Sequence, residues 1–126
     1  MQMKIIWKIN VAEGFVSLKY SGDPDFVIWA KVMEEIFIHP DYRPGMGFIA
    51  DLTESGPPDT AHLQLVTHFL KSNADQFKGA KWANVTARPV HKGMTRVAQV
   101  YVEEMPTQLR AFTSFEEAEA WLKSGN

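Results

Sequence analysis

The chain contains no cysteine. That absence rules out a disulfide framework, a thiolate metal site and a cysteine nucleophile together. An excess of one charge is also missing. With 13 basic and 15 acidic residues the formal net charge is −2 at pH 7, which gives no general attraction to nucleic acid or anionic lipid. No uncharged apolar run reaches the ~18 residues that a membrane-spanning helix requires. The first twenty residues carry Lys4, Lys8, Glu13 and Lys19 around no apolar core, so they do not read as a signal peptide. A cytoplasmic protein with no membrane span is the expectation. No internal repeat, linker or low-complexity segment interrupts the chain.

What is present has a globular composition: 45% of the residues are hydrophobic and 22% charged. At 126 residues the chain is long enough for one domain and too short for two ordinary ones, so residues 1–126 are expected to form a single unit. A chain of this length buries roughly two thirds of its unfolded surface and needs no staples.

Periodicity orders the elements. Residues 4–10 and 14–20 read as two strands joined by a hairpin-length connection ending at Gly14, hence an antiparallel pair. In the second, Val16, Leu18 and Tyr20 share a face, and Phe15, Ser17 and Lys19 share the other. Asp23 is placed to cap a helix with Pro24 at its first position, and Phe26, Trp29, Met33, Ile36 and Phe37 follow at helical spacing. The helix should stop before His39-Pro40. Residues 47–53 carry apolar side chains on both faces, as a central strand does. A second helix starts near Asp59 or Thr60, with Leu63, Val66, Phe69 and Leu70 as its stripe, and Gly79 ends the segment.

Residues 81–88 read as a strand with Ala83, Val85 and Ala87 on one side and Trp82, Asn84, Thr86 and Arg88 on the other. That polar admixture suggests one partly solvated sheet face. Met94, Val97, Ala98, Tyr101, Val102 and Met105 then mark a third helix. Residues 108–113 form a last strand. Ser114 and Glu117 make a capping box for a final helix that turns Phe115, Ala118, Trp121 and Leu122 inward. The expected fold is one layered α/β domain in the order ββαβαβαβα, with a mixed, mostly parallel five-stranded sheet packed by four helices.

That order, two paired strands followed by alternating helices and strands, resembles the STAS and SpoIIAA-like domains. Three stretches carry the resemblance. His39-Pro40-Asp41-Tyr42-Arg43-Pro44-Gly45-Met46-Gly47-Phe48 with Asp51-Leu52 is similar to a loop-and-strand stretch of the bacterial SpoIIAA-like group, also described as STAS/Sec14-like. Gly93-Met94-Thr95-Arg96 resembles its third-helix start, and 112–122 resembles its ending. The resemblance implies a non-enzymatic domain without a cofactor that acts through a protein partner. It also implies the alternative of a carrier for a lipid-like or anionic ligand, related to Sec14-type proteins. In phosphorylated members a serine at the start of the second helix is the switch. Here only Asp59-Thr60 resembles the Asp-Ser pair, the Ser-Gly that should follow is missing, and Thr60 is the hydroxyl nearest the phosphoacceptor position.

The residues offer three constellations. Thr53, Ser55 and Thr60 lie between a strand end and a helix start, where free amides and the helix dipole favour an anion. Pro57 and Pro58 remove two amide donors from that loop, and a simple cap by Asp59 or Thr60 is the competing reading. Arg88, His91, Lys92 and Arg96 surround Gly93 after the next parallel strand. They form either the second half of a ligand site on one sheet edge or a solvated basic patch. His39, Tyr42 and Arg43, in a loop stiffened by prolines and glycines, are either an interaction surface or an ordered turn in which Tyr42 packs.

The remaining signals are negative. His62 and His68 are six residues apart on a helix, roughly 120° around its axis, so no metal site is expected. Ser55, His91 and Asp51 could be strung into a triad, but no G-x-S-x-G elbow accompanies them, so no enzyme is expected. Trp29, Phe37, Phe69, Met94 and Tyr101 would permit an apolar ligand pocket and equally suit a core. Trp7 and Ile9 on a candidate edge strand make a homodimer a candidate assembly.

Overall fold

A computed structural model of the chain describes residues 1–87 and 107–124. Five strands lie in the order β1-β2-β3-β4-β5: Lys4–Asn10, Phe15–Gly22, Gly47–Ser55, Lys81–Val85 and Gln108–Phe112. β1 and β2 pair antiparallel, and each later neighbour is parallel. Four helices belong to the described residues: α1 (Phe26–Phe37), α2 (Thr60–Ser72), the single turn α3 (Ala74–Phe77) and α4 (Phe115–Lys123). The helix expected from Met94 to Met105 lies outside the described residues.

The alternation in β2 sets the layers. Val16, Leu18 and Tyr20 enter the larger core with Trp29, Met33 and Ile36 of α1 and Leu70 of α2. Phe15 turns to the other face, under Ala118 of α4, with Ile49, Ala83 and Val85. β3 lies in the middle of the sheet, and Phe48, Ile49 and Ala50 are all buried, because both faces there are covered.

The partly solvated face is the reverse of the one expected. Trp82 and Thr86 are buried and Asn84 is half-buried, because α1 and α2 cover their side. Exposure falls on the other face at β1 and β2, where Lys4, Ile6, Lys8 and Lys19 stand beyond the reach of α4, which packs on β3, β4 and β5. Trp7 and Ile9 of the edge strand pack against the larger core, and Ile6 is the exposed apolar side chain of that strand.

Caps refine the boundaries. α1 starts two residues later than Asp23-Pro24 suggested, since Asp25, in extended backbone, accepts the Ile28 amide at 3.2 Å. Asp59 caps α2 by accepting the His62 amide at 2.8 Å. α2 ends at Ser72 and not at Gly79. Asn73 donates both its backbone and its side-chain N–H to the Phe69 carbonyl (3.1 and 2.9 Å), and the chain turns to bury Phe77. Ser114 accepts the Glu117 amide at 3.2 Å, as its capping box requires. Phe115, expected inward, is 44% exposed, because the sheet meets α4 through Ala118, Trp121 and Leu122. Lys81 ties the end of α4 to the start of β4, its ammonium donating to the Trp121 and Ser124 carbonyls at 3.0 and 2.9 Å.

Candidate functional site

Parallel strands β2, β3 and β4 discharge their chains at one edge of the sheet, where α/β folds place ligands. At this edge a cavity of ≈ 100 Å³ opens between the sheet and the starts of α1 and α2. Tyr20 of β2, Trp29 of α1 and Trp82 of β4 form its aromatic walls, and Ser55, His62 and Asn84 supply polar atoms. Behind it lies a second space of ≈ 50 Å³, which shares Trp29, Val66 and Trp82 and reaches Leu109 of β5.

Hydrogen bonds hold the walls. Trp29 Nε1 donates to the Tyr20 hydroxyl at 2.9 Å, and Trp82 Nε1 donates to Asn84 Oδ1 at 2.9 Å. Burial pushes the Tyr20 phenol well above its ordinary value. Loss of water around the half-buried His62 pulls its imidazole below the usual value, against the opposing pull of the Asp59 and Asp25 carboxylates. Gly22 closes the edge, its carbonyl accepting the Gly56 amide at 2.9 Å. With φ at 80°, and with a Cβ that would overlap the Gln2 carbonyl, this position admits glycine alone.

The candidate residues separate on this frame. Ser55 is buried against the cavity, its hydroxyl donating to the Gly56 carbonyl at 3.0 Å. Thr53 is not a cavity residue, and its hydroxyl and amide both donate to Asp51 Oδ1, at 2.6 and 2.9 Å. Thr60 is exposed at the first position of α2. The Asp59 carboxylate already occupies the α2 amide an anion would use. Arg88, His91, Lys92 and Arg96 lie outside the described residues. β3 and β4 end side by side, with Asp51 opposite Val85, so the chain leaves β4 on the same edge as loop 55–60.

The 39–46 loop is at the far end, between the end of α1 and the start of β3. Tyr42 is buried there, its hydroxyl donating to the Gln76 carbonyl at 2.9 Å, and burial pushes its phenol up to about 12. His39 meets Trp7 edge-on at 5.8 Å, and Arg43 is exposed. Of the apolar pocket candidates, Trp29 lines the cavity, Phe37 and Phe69 stack on one another at 6.1 Å in the core, and Met94 and Tyr101 lie outside the described residues. Periodicity did not single out Tyr20, His62 or Trp82 for this site. The first and last lie on the buried faces of their strands, but their meeting depends on register. Among the described residues no cluster of three His, Asp or Glu side chains could share a metal ion.

No protein-family model matches this sequence, and no curated protein does. Solved structures do. The chain is similar to an uncharacterized protein from Shewanella loihica PV-4 with a SpoIIAA-like fold, at TM-score 0.67 and 17% identity over 95% of this chain and 93% of that one. The fold is SpoIIAA-like. The same arrangement is found in an anti-sigma factor antagonist from Mycobacterium paratuberculosis, at TM-score 0.60 and 12% identity over 98% and 96% of the two chains. A chain in the complex of diguanylate cyclase SiaD with its activator SiaC from Pseudomonas aeruginosa matches at TM-score 0.51 and 14% identity, over 89% and 95%. The SpoIIAA-like order of strands and helices is therefore the one the resemblance implied. Among the described residues no helix is long and apolar enough to cross a membrane.

Proposed function

We propose that this chain is a non-enzymatic regulatory module that works by binding another protein. Its fold is shared with an anti-sigma factor antagonist and with a chain of an activator–cyclase complex, and both of those descriptions name proteins that act on proteins. The observation that carries the reading is the surface after α1. Ile38 is 85% exposed, and Arg43 is exposed on the same loop. The loop itself is pinned by Tyr42 and Gly45, which both donate to the Gln76 carbonyl at 2.9 Å. An apolar side chain and an arginine presented on an already ordered loop lose little entropy on binding, which favours them as anchors. Thr60, exposed at the start of α2, remains within this reading as a candidate phosphoacceptor.

The test uses Ile38→Asp and Arg43→Ala, both at exposed positions. A partner retained by the wild-type protein from its native lysate should be lost with either variant while both fold normally. Retention of the same partners by both variants would refute the surface. The alternative of a small-ligand protein is favoured by the cavity. An anionic form of it gains nothing from the described walls, which contain no lysine or arginine.

A further inference from the structure

The chemistry of the cavity walls is selective. No charged side chain lines it among the described residues, while Tyr20, Trp29, Leu52, Val66 and Trp82 offer apolar surface. Among the described residues the mouth carries carboxylates. Asp25 and Asp59 both act on His62, and Asp23, paired with the N-terminal ammonium at 3.1 Å, has its Oδ1 2.9 Å from where a Cβ on Gly56 would stand. An anion would meet these carboxylates and then lose its water with no cation among the described wall residues to replace it. A quaternary ammonium would find the aromatic faces of Tyr20, Trp29 and Trp82, but with no N–H and no lone pair it would leave the polar groups of the walls without a partner.

Uncharged hydrogen-bonding groups are available inside. The bond from Trp29 uses one lone pair of the Tyr20 hydroxyl and leaves that hydroxyl's own proton to donate. A neutral imidazole at His62 offers one donor and one acceptor. The main space and the smaller one behind it, of ≈ 100 and ≈ 50 Å³, share Trp29, Val66 and Trp82. An apolar cavity of about 150 Å³ is known to hold benzene, so one six-membered ring needs both spaces, joined past these three side chains.

We propose that this cavity binds a small uncharged ligand consisting of one aromatic ring with a single hydrogen-bonding substituent, the ring lying against the cavity faces of Trp29 and Trp82, which touch each other at 6.4 Å between ring centroids, and the substituent meeting Tyr20 or His62. The ring is matched by indole and phenol surfaces that are already held in place by their own hydrogen bonds, so little ordering accompanies binding.

The four tryptophans make the test direct on the wild-type protein. Trp29 and Trp82 line the cavity, whereas Trp7 packs on His39 and Trp121 on Phe112. In 15N-labelled protein each indole N–H gives one NMR signal, and Trp7→Phe and Trp121→Phe identify the two signals from outside the cavity by their disappearance. Titration with phenol should move the Trp29 and Trp82 signals along saturating curves and leave the other two in place. Benzoate and tetramethylammonium should move neither cavity signal. Val66→Phe, which adds bulk to a side chain that lines both chambers, should weaken phenol binding by at least about ten-fold. If that variant does not fold, the wild-type titration alone decides. Stationary cavity signals, equal movement of all four, or a stronger response to benzoate or tetramethylammonium would overturn the proposal. None of these outcomes bears on Ile38 and Arg43, which lie at the other end of the sheet.

Discussion

Two buried phenols allow a test of how the cost of a lost hydrogen bond depends on what is left behind. Tyr20 and Tyr42 are 8% and 7% exposed, so replacing either by phenylalanine keeps the ring and deletes one hydroxyl from a packed interior. At Tyr20 the lost oxygen is the acceptor for Trp29 Nε1, and the indole N–H would then be stranded beside a ring only 3% exposed. An unsatisfied buried donor costs about 1–3 kcal/mol. At Tyr42 the hydroxyl is itself the donor, to a Gln76 carbonyl that still accepts the Gly45 amide after the substitution. Nothing is orphaned there, and the loss is limited to the net worth of one hydrogen bond, about 0.5–1.5 kcal/mol. Tyr20→Phe should therefore be the more damaging. Urea denaturation measures both, with equal slopes showing that the unfolded states are comparable. A loss of 2 kcal/mol corresponds to a fall in Tm of roughly 8 °C for a chain of this size. If Tyr42→Phe cost as much as Tyr20→Phe, or if Tyr20→Phe were neutral, the argument from the stranded indole would be wrong.

Asp59→Ala should cost about 1 kcal/mol by removing the α2 cap, read as a lower Tm. Gly14 and Gly22 have nearly the same φ, 77° and 80°, but a Cβ at Gly14 meets nothing within 4 Å and one at Gly22 overlaps the Gln2 carbonyl. Gly14→Ala should thus cost only the backbone strain, about 1–2 kcal/mol, and Gly22→Ala clearly more in the same urea titration. Stability should also fall at both pH extremes. His62 has a folded-state pKa below its ordinary 6.5, so the unfolded chain takes up a proton first as pH falls through 6.5, and His62→Gln should flatten that loss. Tyr20 and Tyr42 have folded-state values above 10, so stability should drop as pH climbs past 10, where only the unfolded chain ionises.

Local chemistry made much of this chain readable without coordinates. Alternation of Val16, Leu18 and Tyr20 against Phe15 and Lys19, the helical spacing from Trp29 to Ile36, and the Ser114 cap each depend on neighbours only a few residues away, and the structure keeps all of them. The order of elements followed from these signals, and the SpoIIAA-like sheet followed from that order. Where two local solutions competed, packing chose. Asp25 capped α1 although Asp23 preceded a proline, and Asn73 ended α2 before Gly79 so that Phe77 could enter the core.

What the sequence alone determined, then, was which residues form strands and helices and which side of each is apolar, because those are properties of a repeat along the chain. Only the tertiary structure decided that Tyr20, Trp29 and Trp82 face one space while Tyr42 and Arg43 stand at the opposite end of the sheet. Strand register and helix placement set those meetings, and both arise from contacts between residues far apart in sequence, which no local pattern encodes.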